Sequence, residues 1–312
     1  MKKYILILGI VCLSFVTHAC DVCGCYTGVL PYESKNSISI YSRYRAFKNE
    51  FFVGSNKWFP EGSLFKTEHS STAEKVSSYE VFRAIELRGR WFFKPKWELD
   101  INVPYLQNIE VEGIQRNAVQ GIGDISFNVL HHVVSDNCDR QFKNRLLLGA
   151  GIKLPTGRND FTLSNGQRAE FYNQPSTGSL DYNFMANYAV GYKKLGCSVS
   201  TNFRCNSTNS FNERLASVVN VSSMLFYKWN VSNQLLVVPS VINTFEKTKG
   251  VRIGDALQNG TSMQLMMMGA GLQFIYKSIA LDSQLLLPVD EPKSLNSQQS
   301  TVRIVIGLSY NI

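Results

Sequence analysis

The chain has 312 residues, of which 44% are hydrophobic and only 18% charged, with a formal net charge of +8. Charge this sparse lies below the ~25% of ordinary soluble domains, and a mean hydropathy of −0.10 shows apolar residues diluted by Ser, Asn, Gln and Thr. Disorder and a bundle of membrane-spanning helices are both excluded. The one long apolar stretch, Tyr4–Val16, falls short of the ~20 residues a spanning helix needs.

Residues 1–19 have the layout of an export signal. Met1-Lys2-Lys3 is the positive start, Tyr4–Val16 the apolar centre and Thr17-His18-Ala19 a small-residue cleavage site. Cleavage after Ala19 is expected to place Cys20 first in the mature chain. Residues 20–36 then form a Cys-rich periplasmic segment that opens Cys20-Asp21-Val22-Cys23-Gly24-Cys25. Three thiols in so short a stretch can converge on one soft ion, copper or zinc. An oxidising periplasm also favours a disulfide, and a Cys directly after the cut can carry lipid. All three uses stay open for Cys20, Cys23 and Cys25. Cys138 and Cys197 fall near short turns and can pair. Cys197 and Cys205 share a strand about 26 Å apart at ~3.3 Å per residue, too far to bond. His131 and His132 end a strand on the side of the Cys cluster, as metal ligands or as interfacial residues.

From residue 37 onward the apolar pattern has period two, the mark of strands. Twelve runs follow in order: 37–47, 78–93, 97–110, 122–133, 143–154, 180–192, 196–206, 214–227, 234–246, 261–276, 279–287 and 300–312. Many are longer than the ~5–6 residues of a soluble strand and match the ~9–11 of a tilted strand crossing a bilayer. Short connectors (93–96, 192–195, 228–233, 277–278) take turns with longer ones (48–77, 155–179, 247–260, 288–299). The predicted fold is all-β: a transmembrane antiparallel up-and-down barrel over residues 37–312, with both termini periplasmic. Phe92, Phe93, Trp97, Tyr192, Tyr227, Trp229 and Tyr276 flank the short turns, where an aromatic girdle belongs.

With the apolar face turned to outer-membrane lipid, the other face looks inward. It carries Glu98, Asp100, Asn102, Asp124, Asn128, Arg145, Lys153, Asn183, Asn187, Arg204, Asn220, Asp282, Gln284 and Arg303. Charge on the lipid face would cost ~2–4 kcal/mol at mid-bilayer, so these residues belong inside. Expected pairs are Arg303 with Asp282, Asp124 with Lys153, and strand-two arginines with Glu98 and Asp100. Charge on both faces leaves the first two strands (Arg43, Arg45, Arg83, Glu86, Arg88, Arg90) ambiguous. Such an interior is either a satisfied polar plug or a hydrated path for a small solute, with Glu98, Asp100, Asp124, Lys153, Asp282 and Arg303 setting selectivity and loops 48–77 and 155–179 gating the outer mouth.

Lys and Arg are dispersed without a binding stripe, so nucleic acid is not an expected partner. No G-x-S-x-G, H-E-x-x-H or phosphate loop occurs, and no Ser/His pair is placed for hydrolysis at the outer rim. An enzyme is not expected.

Three motifs stand in order: Gly121-Ile122-Gly123-Asp124, Gly151-Ile152-Lys153-Leu154-Pro155-Thr156-Gly157 and Ser176-Thr177-Gly178-Ser179-Leu180-Asp181, with Val103-Pro104-Tyr105 before them. Over residues 80–312 the chain resembles the outer-membrane barrel family called MetA-pathway of phenol degradation, whose members are labelled transporters. The Cys-rich opening followed by Tyr26-Thr27-Gly28-Val29-Leu30-Pro31 looks like a Bacteroidetes-type subgroup. The resemblance implies a barrel that passes small, aromatic or hydrophobic molecules.

Overall fold

The computed structural model describes residues 35–53, 74–112, 115–135, 142–163, 165–248, 250–258, 263–290 and 298–312. The export signal, Cys20, Cys23, Cys25, Cys138 and residues 54–73 of the expected gate lie outside the described residues.

Seventeen strands run in chain order among the described residues: β1 (Ser37–Val53), β2 (Glu74–Lys94), β3 (Trp97–Glu112), β4 (Gln115–Ile122), β5 (Ser126–Ser135), β6 (Phe142–Lys153), β7 (Asp181–Tyr192), β8 (Leu195–Cys205), β9 (Glu213–Leu215), β10 (Val218–Tyr227), β11 (Trp229–Asn230), β12 (Leu235–Thr248), β13 (Val251–Ile253), β14 (Ala256–Leu257), β15 (Met263–Tyr276), β16 (Ile279–Asp290) and β17 (Gln298–Asn311). β4 and β5 are two halves of one span, both paired with β3; β10 and β11 likewise both lie against β12. Pairing of β1 with β17, and of β10 with both β8 and β12, closes a twelve-strand antiparallel barrel. Closure leaves no open sheet edge, the condition for a β-structure in lipid.

The period-two pattern dictates which face goes where. Ile38, Ile40, Ile85, Leu87, Tyr182, Phe184, Leu225, Ile304, Ile306 and Leu308 are exposed on the outside. Their neighbours Ser39, Tyr41, Glu86, Asn183, Val305 and Ser309 are buried in the lumen. The expected aromatic girdle is present: Phe93, Trp97, Tyr192, Tyr227, Trp229 and Tyr276 are all exposed around the short-turn end. Phe92 is a correction. Even positions of β2 face inward, so its ring packs 5.4 Å from that of His132 inside the barrel. The same parity resolves the first two strands. Arg43, Arg45, Glu86, Arg88 and Arg90 point inward, whereas Arg83 is exposed, with its guanidinium 5.9 Å from the Tyr44 ring.

Two of the short turns share one device. Lys193 and Lys277 adopt φ of 53°, and each Nζ lies 5.3 Å from the ring of the preceding tyrosine, Tyr192 or Tyr276. At the opposite end, β9, β13 and β14 form a small three-stranded sheet absent from the predicted elements. Its strands have two or three residues, too few to show a period. Around it Phe171, Leu215, Val218 and Val251 make an apolar cluster.

Candidate functional site

Three buried polar assemblies divide the lumen. The first is built by the three sequence motifs. Between β4 and β5 the chain leaves the ladder at Gly123-Asp124-Ile125, which turns the Asp124 carboxylate inward. It accepts hydrogen bonds from Thr177 N (3.1 Å), Thr177 Oγ1 (3.0 Å), Gly157 N (3.2 Å) and Ser176 Oγ, and an ion pair from Lys153 Nζ. The same ammonium reaches Asp181 at 2.8 Å and Thr177 Oγ1. Asp181 in turn accepts from Ser179 Oγ (2.8 Å) and Ser207 N (3.0 Å). Gly157 sits where a Cβ would lie 2.5 Å from Ile122 O and 2.7 Å from Ser176 Cβ. Only a bare backbone allows the second motif to wedge between the other two. The predicted Asp124–Lys153 pair is therefore real, and Asp181 completes it.

This knot anchors a strap. Residues 173–177 and 179 are buried although they belong to no strand. Asn108 Nδ2 donates to Asn173 O (2.9 Å), Asn173 Nδ2 to Glu110 Oε2 (3.3 Å), and Gln174 Nε2 to Ala169 O (2.8 Å). Outside the knot, Arg168 grips Glu213 with two hydrogen bonds, 2.6 and 2.9 Å long. Burial pushes the Tyr172 phenol up, reinforced by Glu170, Glu80 and Glu110 around it. On the exposed rim, a hydrogen bond from Arg158 holds the Asp160 carboxyl below its usual range. Of the connector 155–179, expected as a gate at the mouth, residues 173–177 and 179 are folded into the barrel, while Pro155, Thr156, Arg158 and Asp160 are exposed.

The second assembly is a belt beside a cavity. The cavity, about 110 Å³, lies toward the short-turn end between β1, β2, β3, β5, β6, β7 and β8. Arg88, Arg90, Arg145 and Arg204 line it, with Glu98 and Asp100. Glu98 accepts from His132 Nε2 (3.1 Å) and stands 4.0 Å from Arg90 Nε, so the predicted pairing with strand two holds only loosely. Arg88 turns to Glu86, which also binds Arg43 at 3.0 Å. A relay runs from Arg204 Nε to Asn183 Oδ1 (2.8 Å), from Asn183 Nδ2 to Asn128 Oδ1 (3.2 Å), and from Asn128 Nδ2 to Asp100 Oδ1 (3.3 Å). β6 stands between Asn128 and Asn183, and they touch because its residue there is Gly151, whose Cβ would sit 2.2 Å from Asn128 Oδ1 and 2.3 Å from Phe127 O. Gly151→Ala is expected to lower barrel stability by about 1–3 kcal/mol, as overpacking does, read as a lower urea midpoint of the heat-modifiable band. An unchanged midpoint would mean that β6 yields without loss.

A second cavity of about 70 Å³ lies under the strap, lined by Arg43, Glu86, Lys153, Tyr172 and Gln174. Both cavities reach Asn102, Ser126 and Arg204, so they stand in series along the lumen.

The third assembly fills the other side. Glu246 on β12 is held by Arg45 Nη2 (3.0 Å), Arg303 Nη1 (2.6 Å) and Asn220 Nδ2 (2.9 Å). Arg45 and Arg303 are directly opposed on β1 and β17; β15 and β16 separate β17 from β12. The carboxylate thus reaches arginines that are not on adjacent strands. Ile242, Leu265, Met267 and Leu286 pack as an apolar cluster on this side. Arg303 was expected to meet Asp282. Its partner is Glu246 instead, while Asp282 takes a long contact from Gln284 Nε2 at 3.5 Å. His131 faces outward and stacks on Trp97 at 4.3 Å, and the buried His132 serves Glu98. Among the described residues, Cys197 and Cys205 on β8 form no disulfide; the expected Cys138–Cys197 pairing involves a residue outside them. No metal-holding cluster of His, Cys, Asp and Glu occurs among the described residues.

The sequence reading turned Glu98, Asp100, Asp124, Lys153, Asp282 and Arg303 inward, where they lie, and found the Asp124–Lys153 pair, but it paired Arg303 with Asp282 rather than Glu246. It also overlooked Glu246 and Asp181 as ion-pair partners. Glu246 shares the parity of Ile242 and Thr244, and Asp181 ends the third motif, so both signals were present.

No protein-family model matches the sequence, and no curated protein does. Among solved structures, the chain is similar to the COG4313 outer membrane channel from Pseudomonas putida F1, with a TM-score of 0.60 and 10% identity, covering 91% of this chain and 97% of that one. Looser likenesses are the β domain of the Bordetella autotransporter BrkA (TM-score 0.47, 8% identity, 89% of this chain and 100% of that one) and the translocator domain of NalP from Neisseria meningitidis (0.43, 8%, 91% and 91%). The first likeness makes the fold that of an outer-membrane β-barrel.

Proposed function

We infer that this chain is an outer-membrane channel through which a small polar solute passes, with the strap at residues 173–179 as its constriction. The carrying observation is the pair of cavities in series, joined at Asn102, Ser126 and Arg204 inside a closed barrel. A purely structural barrel of this width can fill its interior with side chains. Here charged groups line an interior path instead, with free volume beside β1, β2, β3, β5, β6, β7 and β8. The similar Pseudomonas protein is an outer membrane channel, which supports the same role. So does the meeting of the three motifs in one knot, as expected if the family resemblance is a true kinship. The lining combines these charged and amide groups with Tyr41, Phe92, Leu130, Leu147 and Met185. The short-turn end, where β1 begins and β17 ends, is the periplasmic one in this reading, and the strap closes the outer side.

The test is electrical. Purified protein in planar bilayers is expected to open small, discrete ion conductances, and proteoliposomes to swell in small sugars or organic acids. Bilayers that stay silent and vesicles that do not swell would leave only a closed barrel.

A further inference from the structure

We propose that the cavity at the short-turn end is a binding site for a small anion, of the class of short hydroxylated or amidated carboxylates. This rests on the reading of the lumen as a solute path and names the solute's chemistry.

Charge is the first observation. Among the described residues, four arginines, Arg88, Arg90, Arg145 and Arg204, face this cavity against two carboxylates, Glu98 and Asp100. Glu86, which binds Arg88, binds Arg43 as well. Glu98 stands close to both Arg90 and Arg145. A confined site lined by one excess sign concentrates ions of the opposite sign, and rings of Arg or Lys are how pores select anions. The Asp124–Lys153–Asp181 knot lies under the strap and the Arg45–Glu246–Arg303 bridge on the other side of the lumen, while the Asp282 carboxyl acts on Tyr41 at the cavity wall.

The second observation is independent of charge. Several deeply buried polar atoms of residues lining the cavity make no hydrogen bond: Arg90 Nε, which has Glu98 only at ion-pair distance, His132 Nδ1, and the Oδ1 atoms of Asn102, Asn187 and Asn202. The His132 side chain is 4% exposed, and burying such groups unpaired is costly. Arg90 supplies a donor that suits a carboxylate, and the three amide oxygens are acceptors that suit hydroxyl or N–H groups. A ligand with a carboxylate at one end and hydroxyl or amide donors at the other satisfies both sets. A hydrophobic solute satisfies neither.

The experiment uses full-length barrel in two formats. In planar bilayers under a KCl gradient, the wild type is expected to pass chloride in preference to potassium. Arg90→Gln/Arg145→Gln is expected to abolish that preference, and Arg90→Lys/Arg145→Lys to retain it. In equilibrium dialysis of detergent-solubilised barrel, labelled lactate is expected to be held by the wild type and the lysine variant and released by the glutamine variant. All three proteins must show the heat-modifiable migration of a closed barrel, so lost folding is read separately. Conductance without anion preference, or with a preference that the glutamine variant keeps, overturns the anion site while leaving solute passage intact. Silent bilayers with lactate held by Arg90 and Arg145 uphold the site and overturn passage. Silence without lactate retention overturns both.

Discussion

Asp124→Ala is expected to raise the unit conductance several-fold and to expose residues 155–179 to protease. Asp124 gathers Thr177 N, Thr177 Oγ1, Ser176 Oγ, Gly157 N and Lys153 Nζ on one carboxylate. These contacts tie the strap to the barrel wall. Hydrogen bonds to a charged group contribute ~1.5–3 kcal/mol each, so losing several outweighs the entropy that a short free segment recovers. Lys153 stays paired with Asp181 at 2.8 Å, which spares the wall an orphaned charge and keeps the barrel folded. The control is Asp160→Ala. Asp160 bonds Arg158 on the exposed rim of the same connector, where a solvent-screened pair contributes little, and neither conductance nor proteolysis should change. If Asp124→Ala conducts like the wild type while its strap is cut, the constriction lies elsewhere in the lumen.

The second large effect concerns stability. Glu246→Leu is expected to destabilise the barrel by about 3–5 kcal/mol, the usual result of removing one partner from a buried ion cluster. It leaves Arg45 and Arg303 buried, with 2% and 4% side-chain exposure, and directly opposed across β1 and β17. Asn220 loses its acceptor as well. Replacing the whole cluster, as Arg45→Met/Glu246→Leu/Arg303→Met, is expected to recover most of the loss. The apolar cluster of Ile242, Leu265, Met267 and Leu286 lies on the same side of the lumen, and apolar substitutes for a buried ion triad are often neutral or stabilising. Urea midpoints of the heat-modifiable band measure both variants. A single variant as stable as the wild type would show that water reaches the arginines and that the interior there is open.

Parity explains why so much was readable from the chain. On a strand each residue's face follows from its neighbour's, so the runs ending in Ile304, Ile306 and Leu308 announced both the lipid face and the inward position of Arg303. Run boundaries agreed closely with the strands, as at 97–110 against Trp97–Glu112. Phe92 was misjudged because nearness to a turn was weighed above parity. The segment 111–121 was read as a connector, although Gln115–Ile122 pairs with β3, since Gln115-Arg116-Asn117 lacks the apolar alternation of the rest.

Alternation along a strand therefore determined, from sequence alone, a barrel, its twelve runs and the polar character of its interior. It says nothing about which inward groups meet across the lumen, because that depends on register, closure and the path of segments with no period. Only the tertiary structure brought Glu246 from β12 to Arg45 and Arg303, folded 173–179 inside onto Asp124, and gathered Arg88, Arg90, Arg145 and Arg204 around one cavity.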